Sequence, residues 1–257
     1  MTTHFFHDTG VLFRRSLRHI LRSPDTIITT VITPIAMLLL FVYVFGGALD
    51  VGGARYVTYL LPGILLITIA SGIAYTAFRL FTDVSSGIFE RFQSMPITRS
   101  SVLWSHVLTS IVANLTSLVL VVLVALVMGF RSGAGVLAWL AVLGIMVLFT
   151  VALTWLAVIP GLTAKSVDGV SGFSYPLIFL PFISSAFVPT SGMPGPVRWF
   201  AEHQPVTSIV NTIRHLYAQQ PLGHDGPIAV AWCVGLLLVA YALAMRTYRR
   251  RTGKPAG

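Results

Sequence analysis

The amino-acid sequence predicts an all-α membrane protein with six transmembrane helices, and three observations carry that prediction. Six stretches, 26–49, 56–78, 100–130, 132–164, 169–197 and 226–245, run for at least 20 residues without Asp, Glu, Lys or Arg, each bounded by charge on both sides. Hydrophobic residues make up 55% of the chain and charged ones 10%, with a mean hydropathy of +0.84, which leaves too little polar surface for a water-soluble fold of 257 residues. The length of the stretches matches the bilayer. A hydrocarbon core about 30 Å thick takes roughly 20 apolar residues as a helix, because only a helix or a closed barrel satisfies every backbone N–H and C=O where water is absent. Residues 1–257 are read as one transmembrane domain.

Ahead of the first stretch, residues 1–25 predict an amphipathic helix. On a 3.6-residue period Phe6, Phe13, Leu17, Ile20 and Leu21 share one face, while Arg14, Arg15, Arg18, His19 and Arg22 gather opposite. Such a helix lies in the membrane interface, with its arginines toward anionic lipid or an acidic partner surface. The first apolar run, from Ile27, spans by itself and has no A-x-A-like cleavage site behind it, so Met1 is expected to be the mature start.

Charge placement sets the orientation. Arg14, Arg15, Arg18 and Arg22 precede the first span and Arg246, Arg249, Arg250, Arg251 and Lys254 follow the last. With Arg79, Arg91, Arg99 and Lys165 in the even loops, 13 of the 17 Lys and Arg residues fall on one face, leaving Arg55, Arg131, Arg198 and Arg214 on the other. The positive-inside rule then predicts a multi-pass protein of the cell membrane with both termini in the cytoplasm. A net charge of +9 is therefore no sign of a nucleic-acid partner, which would need basic residues interleaved with aromatics on a soluble face. The single Cys233 excludes an intrachain disulfide and reads as a small buried hydrophobe.

Between the second and third spans, residues 82–101 form a cytoplasmic loop longer than a hairpin needs. Ile88, Phe89, Phe92 and Met95 set apolar bulk beside Glu90 and Arg91, as a docking surface does, and Pro96 ends a short helix. The third and fourth spans are joined at Arg131, where Gly129 and Gly133 read as a turn rather than a dimerisation motif. Pro34, Pro62, Pro160, Pro176 and Pro181 fall in or near spans and predict kinks. The outer segment 188–225 is too polar to span. Within it Val206, Ile209, Val210, Ile213, Leu216 and Tyr217 recur at helical spacing after Pro205, and a shorter helix is expected over 197–203; helices that dip back into the outer leaflet fit this pattern.

Catalytic signals are scarce. No G-x-x-x-x-G-K-[ST] is present to cradle nucleotide phosphates, and no H-E-x-x-H or Cys/His cluster to hold a metal, so the chain is expected to be no enzyme and to bind no cofactor itself. Gly169-Val170-Ser171-Gly172 resembles the G-x-S-G of intramembrane serine proteases, but every later histidine (His203, His215, His224) falls in the outer loop, at the wrong end of the fifth span for Ser171. Asp83, Glu90 and Asp168 lie at the cytoplasmic margin, and no span carries an acid near its middle, where an ion-coupled transporter usually needs one. His106 reads as a satisfied interfacial residue. Polar residues at helical spacing, Thr29, Thr30 and Thr33 on span one, Thr68, Ser71 and Tyr75 on span two, and Ser110, Asn114 and Ser117 on span three, are candidates to line a pathway, with back-bonding or interhelical packing as the alternative.

Several motifs in order carry a family resemblance. Glu90-Arg91-Phe92-Gln93-Ser94-Met95-Pro96-Ile97-Thr98-Arg99 resembles the cytoplasmic coupling segment of ABC-2-type transporter permeases, most closely the daunorubicin-resistance-like permeases of drug and lipid exporters. Tyr59-Leu60-Leu61-Pro62-Gly63 is similar to the family's PG signature. Phe187 to Pro196, with Gln204-Pro205 and Ile213-Arg214, is similar to its outer segment, although Asn-Pro is common where Gln204-Pro205 stands. The resemblance implies a permease that pairs with a second permease copy and with a separate ATP-binding cassette subunit, which binds the ATP and Mg. It also implies that Phe89 to Ile97 act as a coupling helix in a groove of that ATPase, and that the N-terminal helix, with Phe13, Arg14, Leu17 and Arg18, packs on the same partner. The expected function is ATP-driven export of a hydrophobic or amphipathic substrate, drug or lipid-like, since the spans carry no charge inside. Export of a polysaccharide or lipid-linked glycan, or ion-coupled transport, are the alternatives.

Overall fold

A computed structural model of the chain describes residue 14 and residues 24–46, 56–87 and 99–252. Every regular element among them is a helix. In chain order these are α1 (Pro24–Leu40, continued by a π-helical turn Phe41–Phe45), α2 (Tyr56–Ser85), α3 (Arg99–Val127), α4 (Val136–Thr163), α5 (Val167–Phe179, continued by a 3₁₀ turn Leu180–Ile183), α6 (Gly195–His203), α7 (Pro205–Tyr217) and α8 (Asp225–Thr252). Four of them, α2, α3, α4 and α8, are long and apolar enough to cross a membrane, and Val31–Phe45 and Val167–Ile183 are shorter apolar helices.

The residue pattern dictates which helix is central. Leu60 to Ala70 of α2 are buried without interruption, so its whole circumference is covered, as an all-round apolar helix requires. Around it pack α1, α3, α4, α5 and α7. The outer helices bury one stripe and expose another. On α3 Leu103, Val107, Ser110, Asn114, Val121 and Ala125 turn inward, while Val119, Leu120, Leu123 and Val127 are exposed. On α8 the inward stripe is Ala229, Cys233, Ala240, Ala244 and Tyr248, whose mostly small side chains let α8 approach α4 closely, while Leu238, Val239 and Leu243 face out. Exposed apolar stripes of this extent suit a lipid environment.

One expectation changes in detail and another holds. The uncharged stretch 169–197 is not one helix. Pro176 and Pro181 each remove a backbone donor, the helix gives way to the 3₁₀ turn, and Ser184 is extended (φ −146°, ψ −177°). The α3–α4 link is the expected turn: Gly129 takes a positive φ of 97°, open to a residue without Cβ. That turn is pinned to the end of α7, where Ser132 Oγ donates to Tyr217 O at 3.2 Å and Phe130, Trp139 and Tyr217 pack ring on ring.

Candidate functional site

α7, α2 and residues 184–187 after α5 meet in a clamp built on Arg214. Its Nε donates to Tyr59 O at 3.1 Å, and its Nη2 donates to the carbonyls of Tyr59, Ser185 and Ala186 at 2.9, 2.8 and 2.9 Å. The guanidinium carbon lies 3.6 Å from the centroid of the Tyr59 ring. Carbonyl dipoles and a ring quadrupole thus offset a charge that no described carboxylate pairs with. Tyr59 Oη donates to Ser185 O at 3.0 Å, Ser185 N donates to Thr207 Oγ1 at 3.3 Å, and Ser185 Oγ donates to Asn211 Oδ1 at 2.9 Å.

Pro62-Gly63 allows this closeness. A Cβ built on Gly63 would lie 2.7 Å from Ala186 Cβ, so a side chain there would push the 184–187 turn off α2. Gln204 explains the residue before Pro205. Its Nε2 donates to Ile183 O at 2.9 Å and to Leu180 O at 3.4 Å, tying the start of α7 to the 3₁₀ turn after α5, while its Oε1 accepts from Val206 N at 3.4 Å and caps α7. The apolar face of α7 is turned onto the chain's own helices: Ile209 and Ile213 are fully buried in the main core. On α6 Arg198 donates to Glu202 at 2.8 Å and holds that exposed carboxyl below its usual range.

Deeper in the bundle a polar seam joins three helices. Thr76 of α2 donates to Ser110 Oγ of α3 at 2.9 Å, Ser110 Oγ shares a 3.2 Å hydrogen bond with Thr154 of α4, and Asn114 Nδ2 donates to Ser110 O at 2.9 Å. Asn114 lies against the bare backbone of Gly72, where a Cβ would come 2.3 Å from its Oδ1. At the end of the same two helices His106 Nε2 and Asp83 Oδ2 stand 3.2 Å apart, with the His106 side chain buried.

The structure distributes the sequence-derived residues unevenly. Pro205, Ile209, Ile213 and Arg214 come together on α7, in the Arg214 clamp and the buried face beside it. Thr68 is buried and back-bonds to Ile64 O at 2.8 Å, Asn114 belongs to the seam, Ser71 and Tyr75 are half-buried, and Thr33 is exposed on α1. None of them lines the apolar groove of about 340 Å³ between α3 and α4. Thr29 and Thr30 fall on α1, their side chains outside the described part. Arg14 is exposed. Phe13, Leu17, Arg18, Phe89, Glu90, Arg91, Phe92, Met95, Pro96 and Ile97 lie outside the described residues. Sequence reasoning missed Ser185, Ala186, Thr76 and Thr154, whose types are ordinary in apolar helices and whose roles come only from their partners. Among the described residues no group of three or more His, Cys, Asp or Glu is placed to hold a metal ion.

Comparison with known proteins agrees with this architecture. The chain is 28% identical over 232 residues, 89% of its length and 81% of the relative's, to the daunorubicin resistance ABC transporter permease protein DrrB1 of Streptomyces coeruleorubidus. It is 24% identical over 247 residues, 96% of its length and 90% of the relative's, to the probable doxorubicin resistance ABC transporter permease protein DrrC of Mycobacterium tuberculosis (strain CDC 1551 / Oshkosh). A putative transport permease, ycf38 of Porphyra purpurea, is 25% identical over 228 residues, 86% of this chain and 78% of that one. The model of the ABC-2 type transporter family matches residues 7–217, through the first five apolar helices and the Arg214 clamp, and the chain belongs to that family as an integral membrane protein.

Proposed function

We propose that this chain is the permease subunit of an ATP-driven exporter that moves a hydrophobic or amphipathic molecule, drug or lipid-like, out of the cell. The observation that carries the reading is the family match over 7–217 together with full-length similarity to permeases named for daunorubicin and doxorubicin resistance. In this reading α1 to α5 and α8 make six spans with both termini in the cytoplasm, and two permease copies frame the pathway. A separate ATP-binding cassette subunit binds ATP and Mg and pushes on the coupling segment around Phe89 to Ile97. ATP works only through a difference in its subunit's affinity for the two permease states. The Thr76–Ser110–Thr154 seam supports the reading, since hydroxyl contacts between apolar helices are weak enough, at about 0.6 kcal/mol each, to be exchanged as the bundle shifts.

The test is transport into inside-out vesicles carrying this chain and its cognate ATPase, with daunorubicin fluorescence as the readout. ATP-dependent uptake that needs both subunits is expected. Flux without ATP through the chain alone would make it a channel or an ion-coupled carrier instead.

A further inference from the structure

Beyond the 128–135 link that joins them, α3 and α4 part, and the gap between them is the apolar groove of about 340 Å³. Buried Leu65, Leu118, Val142 and Met146 form its floor. Exposed Val119, Leu123, Leu140 and Leu143 stand along its rims, so the trough opens toward the lipid. Its dimensions are those of one hydrocarbon chain. On α4 the lining runs from Val136 to Met146, about 15 Å at 1.5 Å per residue, which is the depth of one leaflet of a hydrocarbon core about 30 Å thick. That volume over that length leaves a section of roughly 20 Å², far too narrow for a helix about 10 Å across.

The end of the trough nearest the link is polar. Tyr217 of α7 lines it there, with its ring packed on Phe130 and Trp139 and its main-chain carbonyl accepting from Ser132 of the link. Tyr217 Oη is buried and has no hydrogen-bond partner. A buried hydroxyl without an acceptor is costly, so the missing acceptor is a group that a bound molecule would supply. Charge at this end is positive as well. Arg131 is exposed, with its Nη1 donating to Leu126 O and Phe130 O at 2.9 and 2.8 Å and no described carboxylate against it. Beside it α4 begins at Val136, and no side chain caps its first amides.

We propose that this groove holds one acyl chain of a diacyl glycerophospholipid, with the ester carbonyl accepting from Tyr217 Oη and the phosphate at the link, near Arg131 and the start of α4. The order of the chemistries selects that occupant. Positive charge, a lone donor and a hydrocarbon trough follow one another from the link inward, as phosphate, ester and chain do in a lipid, and Trp139 and Tyr217 stand where aromatic residues mark the interface. A helix of a second copy would rest on the rims and leave Tyr217 Oη unanswered. The bound chain would tie the α3–α4 pair to α7 and so to the Arg214 clamp. The site uses neither the polar seam nor the coupling segment, so it stands whether or not the export reading does.

The full chain, purified in mild detergent, would be titrated with ester-linked phosphatidylcholine and with its ether-linked analogue of the same chain length, and followed by native mass spectrometry. The ether analogue lacks the carbonyl. The wild type should retain the ester lipid about fivefold better, the worth of one net hydrogen bond. Tyr217→Phe should hold both lipids alike, at the level of the ether. Leu143→Trp, which fills the trough from its rim, should hold little of either, whereas Leu238→Trp, on the exposed face of α8, should hold both as the wild type does. If Leu143→Trp fails to fold, a phosphatidylcholine with a photoreactive diazirine midway along one chain should label the wild type within residues 115–123 or 136–146. Equal retention of ester and ether by the wild type, an ester preference that survives Tyr217→Phe, full retention by Leu143→Trp, or labelling confined to other helices overturns the proposal. A wild-type dimer that Leu143→Trp dissociates would assign the groove to a second copy. Displacement of the lipid by an equal concentration of daunorubicin would assign it to a transported molecule, and either result equally overturns the lipid site.

Discussion

Arg214 shows how one side chain can join three segments without a salt bridge. Its guanidinium is planar, so it can lie on the Tyr59 ring while its edge reaches three carbonyls, and none of those carbonyls changes charge with pH. Lysine keeps the charge but not the plane or the fork. Arg214→Lys should therefore lower the stability of the purified protein by about 1–3 kcal/mol, read as a drop in thermal midpoint in detergent, since several hydrogen bonds to a charged group and a stacked cation are lost together. A midpoint equal to that of the wild type would mean that the carbonyls find other donors and that the clamp is dispensable. The residue itself was legible as a basic position after Ile213. Its partners were not, because Tyr59 is 155 residues away in the chain and a main-chain carbonyl leaves no mark in an amino-acid pattern.

The α2–α3 pair is the element through which the proposed coupling segment reaches the bundle. Residues 86–98 leave one helix and return in the other, and Asp83 and His106 face each other at 3.2 Å on the two stems. If force enters at the segment, that contact keeps the stems moving as one body. Asp83→Asn and His106→Gln should each reduce drug-stimulated ATP turnover severalfold while the complex with the ATPase still forms. The double variant should be no worse than either single one, because the two remove the same interaction. Additive losses would show that each residue acts through other partners. At this scale the periodicity of α7 was readable from Val206, Ile209, Val210, Ile213 and Tyr217. What that face covers was not. The spacing serves lipid and protein alike, and only the packing shows Ile209 and Ile213 closed against α2, α4 and α8.

For the molecule as a whole, orientation is the first property to test. In a Cys233→Ala background, cysteines at Lys165 and Arg250, both exposed, should react with a membrane-impermeant thiol reagent only once the cell is opened, and one at exposed Gly192 should react from outside. Labelling of the Arg250 position in intact cells would invert the assignment. Cys233 itself is fully buried on the α8 face toward α4, a site for a small side chain. The sequence by itself determined the class and the number of uncharged stretches, because hydrocarbon excludes charge and forces each crossing segment to satisfy its own backbone. Those constraints act on one segment at a time. Which helix is central, where the fifth stretch breaks, and how Thr76, Ser110 and Thr154 or Tyr59, Ser185 and Arg214 find one another were decided by the tertiary structure. Between apolar helices in lipid the hydrophobic effect favours no particular neighbour, so pairing rests on close packing at small residues and on single hydrogen bonds between residues far apart in the chain.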